Sequence, residues 1–413
     1  MSKRILLYSD GYYFGGSEYV VVNIFKNRNL NKNYEFLFAY RAHKDYQKHI
    51  DSLFDEVEKK KLFPLKVLSL DNLYNRIEQS VRISILQRIL KFAVSLFTRL
   101  QICNIYNYFL FKRFLKRIDI EGLHINNGGF PGAESCLVMA KAAKDTGHSV
   151  VLQINNIPNH SKKYWDRIIK KSVDAFIIAS KYTSGKIVSL RDITNDNICT
   201  LRDNVKMVYP TKAPEDLMKE LDIASDSIVL IQVALLLEYK GQIYTLEAIN
   251  KMRDENKAFF DKVVLVLIGS GELEEKLKSY ISDNHLEGHV KMLGYRNDYI
   301  NYVNMADVMV HPTRANEDMP LIILSAMSLG KPVISCNFAG IPEEVEHLKS
   351  GILLDPQSDR FVDDLCKAIP LVYEKKIEFG RRGKEIFDAE FSEHKYEEGL
   401  SFIYDHYLNR HQK

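Results

Sequence analysis

The sequence predicts an α/β fold made of two Rossmann-like, doubly wound domains. Three observations carry that expectation. Short apolar runs that end in Gly- or Asn-rich loops alternate with segments of helical spacing along most of the chain. The composition changes after Pro210: residues 211–227 are polar and acidic around Pro214, which reads as an interdomain linker, and a second alternation starts beyond them. The chain has 413 residues, more than one ordinary core holds, so at least two domains are expected.

Residues 4–8, Arg-Ile-Leu-Leu-Tyr, read as a first buried strand. Gly15-Gly16-Ser17-Glu18 then opens a helix, with Ser17 placed to cap the apolar run 20–25. Glycine at such a turn lets backbone approach a ligand closely, and is equally compatible with a purely structural turn. Residues 120–130 (IEGLHINNGGF) read as a strand running through Asn127 into a Gly-rich loop. Residues 149–158 (SVVLQINNIP) repeat the pattern, with Asn155 and Asn156 closing a buried strand. Residues 173–180 give another strand, and Lys181-Tyr182-Thr183 open the next helix. This alternation defines a first domain over 1–210. The second, 211–390, has strands at 228–234, 263–268, 289–292, 307–311 and 333–335, with helices between them, the first at 242–253. The segment 391–413 includes a helical pattern at Tyr396, Leu400, Ile403, Tyr404 and Tyr407. No internal repeat of 20–50 residues is visible.

Residues 306–345 are the most informative stretch: ADVMVHPTRANEDMPLIILSAMSLGKPVISCNFAGIPEEV. A short buried strand, 308–310, leads into a polar loop, 313–318, that carries Glu317 and Asp318. Leu321, Leu324 and Met327 fall at i, i+3 and i+6, which is helical spacing. After the break at 330–332 comes a second strand, 333–335, and a loop leading to Glu343 and Glu344. Open parallel sheets bind ligands in the loops beyond the carboxyl ends of their strands, and two such loops here carry carboxylates and small residues. Upstream, Lys240-Gly241 stands at a strand-to-helix junction. A lysine beside free helix-start amides holds a diphosphate well; a solvated surface lysine is the alternative. Ile268-Gly269-Ser270-Gly271 is a strand running into a Gly-rich turn, and Gly294-Tyr295-Arg296 follows the strand 290–293.

This arrangement resembles the donor-binding signature of retaining family-4 glycosyltransferases of the GT-B fold, in which two Rossmann-like domains face an interdomain cleft. That family shows a Glu, a Pro soon after, a second Glu eight positions on, a Gly-x-Pro-Val-Ile strand and a Gly-Gly-x-x-Glu loop. Glu317, Pro320, Gly330, Pro332, Val333, Ile334, Gly340 and Glu343 match. The resemblance implies Glu317 and Lys240 as catalytic residues, Lys240 on the leaving diphosphate and Glu317 on sugar hydroxyls near the anomeric carbon. It implies donor binding at Gly16, Gly241, Gly269, Gly271, Tyr295, Arg296, Met319, Leu321, Ser325 and Glu343. Asn127 and Asn155 would lie on the acceptor side. The chain departs from the pattern at three places. Ser325 replaces the second Glu, Leu235 stands where the family has a diphosphate-binding Arg, and Asn155 stands where it has a His. The final helix would cross back onto the first domain.

The net charge of +3 conceals an asymmetry: residues 1–210 hold 33 Lys and Arg against 19 Asp and Glu, an excess of +14, which leaves −11 for 211–413. Residues 79–118 contain no carboxylate. They carry Arg82, Arg88, Lys91, Arg99, Lys112, Arg113, Lys116 and Arg117 among large apolar side chains that include Ile83, Ile85, Phe92, Leu96, Phe97 and Phe109. No apolar run there reaches the roughly 18 residues that span a bilayer. The pattern fits an in-plane interfacial helix on an anionic membrane, or a core helix pair with a solvated basic face. Nothing resembles a nucleic-acid recognition motif. Five dispersed cysteines without CxxC spacing indicate neither disulfides nor a zinc site, and suit a reducing compartment. The start, MSKRILLYSDG, lacks the apolar core of a signal peptide.

The resemblance thus implies a metal-independent enzyme, without cofactor, that moves a sugar from a nucleotide-sugar, UDP-linked, to a lipid-linked saccharide in cell-surface polysaccharide synthesis. It would sit peripherally on the cytoplasmic face of the membrane. A non-catalytic nucleotide-sugar-binding relative, a soluble acceptor, and a GT-B phosphorylase or epimerase are the alternatives.

Overall fold

A computed structural model describes residues 2–11, 16–69, 77, 80, 84–99, 101–128, 132–158, 163–191, 193–202 and 209–408. Gly15, Arg82, Ile83, Phe130 and the tail 409–413 lie outside the described residues, as do the side chains of Leu96, Phe97 and Arg99. The chain divides into two compact units. One comprises Met1–Ile178, Thr183–Leu201 and Glu397–Lys413; the other comprises Ala179–Tyr182 and Arg202–Tyr396.

The first unit is built on a seven-stranded sheet of β1 (Lys3–Ser9), β2 (Tyr34–Arg41), β3 (Leu62–Leu65), β4 (Gly122–Asn127), β5 (Ser149–Ile154), β6 (Ala175–Ile178) and β7 (Ile198–Thr200). The order is β3-β2-β1-β4-β5-β6-β7, and every pairing is parallel. Helices cover both faces, so β4, β5 and β6 are buried at every position. The order reverses between β1 and β4, so the loops that leave these two neighbouring strands head away on opposite faces and open a crevice.

The second unit repeats the design with β8 (Ile228–Val233), β9 (Val263–Ile268), β10 (Val290–Met292), β11 (Val308–His311), β12 (Val333–Cys336) and β13 (Gly351–Leu354). Its six strands run β10-β9-β8-β11-β12-β13, all parallel, with the reversal between β8 and β11. Alternate residues of β8 and β9 feed opposite cores: Ile228, Leu230 and Leu265 on one face, Val229, Ile231 and Val264 on the other.

The structure corrects the reading of 211–227 as a linker. Pro214 starts a helix, Pro214–Glu220, as its first-turn residue. Leu217 on that helix is fully buried, and Asn301 Oδ1 accepts from the Thr211 and Lys212 amides at 2.7 and 3.1 Å. The segment is packed into the second unit. The helix expected after Ser17 begins one residue earlier, at Gly16, so Ser17 lies in the first turn. Four strands were not expected: β2, β3, β7 and β13. The helix Glu393–Tyr407 places its residues from Glu397 onward in the first unit. There Glu397 accepts from Asn27 Nδ2 at 2.8 Å and Asn29 Nδ2 at 3.0 Å. Tyr404 packs edge-on against Tyr34 at 5.3 Å.

Candidate active site

The strand-order reversal in the second unit places two loops side by side. The loop after β8 ends in a 3-10 turn, Glu238–Lys240, directly before the helix Gln242–Glu255. The loop after β11 carries 312–320 into the helix Leu321–Ser328. Backbone and side-chain bonds tie the loops together: the Arg314 amide donates to Tyr239 O at 2.8 Å, and Thr313 Oγ1 to the same carbonyl at 3.3 Å. Gly241 makes the approach possible. Its φ is +77°, and a Cβ there would stand 2.4 Å from Pro312 O. Buried Gln232 and Gln242 hold the turn from below: Gln232 Nε2 donates to Lys240 O, and Gln242 Nε2 to Leu235 O, both at 2.9 Å.

The outcome is an ion pair between Lys240 Nζ and the Glu317 carboxylate, with side chains only 11% and 16% exposed. Burial pushes the Lys240 ammonium down to about 8. Sequence reasoning passed over a third member. His311, the last residue of β11, is 1% exposed, and neither ring nitrogen has a hydrogen-bond partner among the described residues. Burial and the Lys240 charge hold its imidazole neutral, down to about 3. A histidine closing an otherwise apolar buried strand at the carboxyl edge of a sheet was the available signal.

The remaining expected residues fall into separate roles. The carboxylate of Glu343 accepts the amides of Lys181 and Tyr182 at 3.1 and 3.0 Å and pairs with Arg202 at 3.2 Å. Asp318, which was not singled out, is buried and receives the Ser180 hydroxyl at 2.7 and 2.9 Å. Met319 is buried in the core beneath the loop, with Leu321 packed at its edge. Ser325 is 1% exposed and donates to Leu321 O at 3.0 Å, one helical turn back. Gly269 and Gly271 lie against backbone of the β8 loop: a Cβ would meet Ala234 O at 1.8 Å and Leu236 O at 2.5 Å. Steric demand thus accounts for both glycines without a ligand. Arg296 is held by Asp298 through two bonds, at 2.8 and 2.9 Å, and Tyr295 is exposed. Leu235, at the position of the family's Arg, is exposed.

In the first unit, the corresponding edge holds Asn127 and Asn155. Asn127 Oδ1 accepts the Ala133 amide at 3.1 Å, and its carbonyl accepts the Asn155 amide at 3.1 Å. Gly16 begins the helix Gly16–Lys26 beyond β1. Nearby, Arg41 and Asp10 form a buried ion pair, with Arg41 Nη2 2.7 Å from Asp10 Oδ2, and Ser135 donates to the same carboxylate. Among the described residues, no group of three or more His, Cys, Asp or Glu is placed to hold a metal ion.

Two doubly wound parallel-sheet units of this order define a protein of the GT-B fold. Residues 214–385 match the family glycosyl transferases group 1. It is similar to the amylovoran biosynthesis glycosyltransferase AmsK of Erwinia amylovora, at 34% identity over 34% of this chain and 35% of that protein. It is also similar to the Escherichia coli UDP-Gal:alpha-D-GlcNAc-diphosphoundecaprenol alpha-1,3-galactosyltransferase, at 32% identity over 38% of this chain and 40% of that protein. The matches thus span well under half the length of these relatives. Among solved structures, Anabaena HepE in complex with UDP superposes with a TM-score of 0.72 over 98% of this chain and 100% of that one. At 16% identity that likeness shows the fold.

Proposed function

We propose that this chain is a retaining family-4 glycosyltransferase that moves a sugar from a UDP-linked donor to a saccharide on a lipid carrier, in cell-surface polysaccharide synthesis. The observation that carries the reading is the Lys240–Glu317 pair at the strand-order reversal of the second unit. In the transfer, the bond between the anomeric carbon and the diphosphate oxygen breaks. A bond to an acceptor hydroxyl oxygen forms on the same face, and the departing diphosphate takes the electron pair and the acceptor's proton. Negative charge grows on the diphosphate, and a fixed cation in a poorly solvated place stabilises it more than water does. Lys240 is that cation, which leaves the chemistry independent of a metal. Glu317 holds Lys240 in place before the donor arrives and then binds hydroxyls of the sugar.

The relatives support the donor and acceptor classes, because one carries UDP-Gal and a diphosphoundecaprenol acceptor in its name. The surface supports the lipid carrier. On the helices Ser84–Arg99 and Ile102–Leu115, the side chains Ile85, Ile89, Phe92, Ile105 and Phe109 are all exposed. No helix among the described residues is long and apolar enough to cross a membrane, so the contact we propose is in-plane, at the cytoplasmic face.

Calorimetry with UDP, GDP and a panel of UDP-sugars tests the reading. Specific binding of a UDP-sugar, and its turnover with a lipid-linked acceptor, is expected. Binding without turnover would identify a nucleotide-sugar-binding relative instead, for which Ser325 in place of the second Glu is the structural argument.

A further inference from the structure

Seven side chains of the first unit form one hydrogen-bonded chain. The Tyr404 hydroxyl lies 2.7 Å from His124 Nδ1, and His124 Nε2 lies 3.0 Å from Gln153 Oε1. Gln153 Nε2 donates to Asn155 Oδ1 at 3.0 Å, and Asn155 Nδ2 to Asn126 Oδ1 at 2.8 Å. Asn126 Nδ2 donates to Ser9 Oγ at 3.4 Å, and Ser9 Oγ to Glu18 Oε1 at 3.3 Å. Every bond points the same way. An amide oxygen only accepts, so His124 carries its proton on Nε2 and takes the Tyr404 O–H at Nδ1. The series ends on a carboxylate, the strongest acceptor available, and aligned bonds of this kind polarise one another.

Six of the seven side chains are buried: Tyr404, His124, Gln153, Asn126, Ser9 and Glu18. Asn155 is the one left half-buried, just beyond the end of β5 at the carboxyl edge of the sheet. Two of its hydrogen-bonding positions are taken within the series. Among the described residues, its side chain keeps one N–H and one oxygen lone pair uncommitted. One donor beside one acceptor, on a group that does not titrate, matches an alcohol. It does not match a phosphate or carboxylate, which would bring acceptors only and leave the amide oxygen unmatched.

We propose that the C-terminal helix, through Tyr404, His124 and Gln153, is a positioning relay that fixes the Asn155 carboxamide to bind a hydroxyl of a neutral sugar. This rests on the reading that the carboxyl edge of the first unit takes the acceptor saccharide. Asn155 is the residue that touches the ligand, and the other three act through it.

Ring 15N NMR of the full chain at pH 7 is expected to show His124 as the Nε2–H tautomer. Tyr404→Phe removes the hydroxyl that feeds Nδ1, so that His124 and the Gln153 carboxamide can reverse together, and is expected to let the Nδ1–H form appear. Gln153→Glu still accepts from His124 but no longer donates to Asn155. Methyl glycosides of glucose, galactose and N-acetylglucosamine, titrated at millimolar concentration, are expected to shift the Asn155 side-chain amide signals in the wild type. Both variants are expected to weaken that binding about fivefold, the equivalent of one oriented hydrogen bond, with UDP affinity unchanged. An Nδ1–H tautomer in the wild type overturns the relay. Glycosides that leave the Asn155 amide unmoved, or bind both variants as tightly as the wild type, overturn the role of Asn155. A wild type that fails to bind UDP while Asn155 answers to a glycoside removes the donor reading and leaves the relay supported.

Discussion

Lys240 is the residue on which the donor reading turns, because its charge lies in a poorly solvated place where a diphosphate would meet it. Lys240→Ala should weaken UDP binding by about 1.5–3 kcal/mol, roughly 10- to 150-fold, as measured by calorimetry. Unchanged affinity would take Lys240 out of the site. The pH dependence follows from burial, which lowers this ammonium to about 8. A diphosphate binds the charged form, so affinity should be flat below pH 8 and fall as pH rises through it, with proton uptake on binding. The folding contribution has the opposite sign. The folded-state value lies below the roughly 10.4 of an unfolded lysine, so the cost of burying the charge applies in full below about 8 and is relieved between about 8 and 10. Glu317→Gln keeps the shape and removes the charge; turnover should drop steeply, and the thermal midpoint should fall as well, because the buried Lys240 ammonium loses its partner. Ser325 is a different case. Its hydroxyl is spent on Leu321 O and its side chain is enclosed. Ser325→Glu would bury an unpaired carboxylate, so thermal denaturation should show a loss of stability of several kcal/mol without any gain in UDP affinity. The residue types were legible in the sequence, because the spacing of Glu317, Ser325 and Gly330–Pro332 survives there. What they bond to was not: Ser325 turned into its own helix, Glu343 placed on two amides and Arg202, and His311 without a partner are outcomes of packing.

Parallel strands buried on both faces read as continuous apolar runs, and that signal was strong for β1, β4, β5, β6, β8, β9 and β11. It failed where the run was short or ambiguous. β7 has three residues, β3 contains Pro64, and the apolar stretch of β2, Tyr34–Arg41, carries no periodicity that separates a strand from a buried helix. Pro214 misled in the other direction, since a proline and acidic neighbours mark a helix start as readily as a linker. The turn before the helix Gln242–Glu255 offers an element-level test. Gly241→Ala must place a Cβ into the carbonyl of Pro312 at a positive φ. The turn should shift and carry Lys240 away from its station, so UDP affinity should fall about as far as in Lys240→Ala, with a lower thermal midpoint as well. Normal affinity would show that the turn tolerates movement and that Lys240 does not depend on its position.

At the scale of the molecule, charge is distributed unevenly along the chain, with an excess of +14 over residues 1–210 against −11 over 211–413. The structure adds where the apolar partners of that charge are. The helix Ser84–Arg99 exposes Ile85, Leu86, Ile89 and Phe92, and Ile102–Leu115 exposes Ile102, Ile105, Tyr106 and Phe109 while burying Asn107, Phe111 and Leu115. A core helix pair would not leave so many large apolar side chains in water; an exposed patch of this kind, with Arg88, Lys91, Lys112 and Arg113 alongside, marks a contact surface. Each Lys or Arg near an anionic bilayer contributes about 1 kcal/mol, which salt screens, and inserted apolar side chains add a part that salt does not reach. The protein should therefore sediment with vesicles that contain anionic lipid, sediment little with neutral ones, and release only in part at high salt. Replacing Ile89, Phe92, Ile105 and Phe109 with Ser should abolish the salt-resistant fraction. Replacing Lys112, Arg113, Lys116 and Arg117 with Gln should reduce the salt-sensitive one. UDP binding should be unchanged in both, because no substituted residue belongs to the second unit. A wild type that ignores anionic vesicles would turn the proposal toward a soluble acceptor.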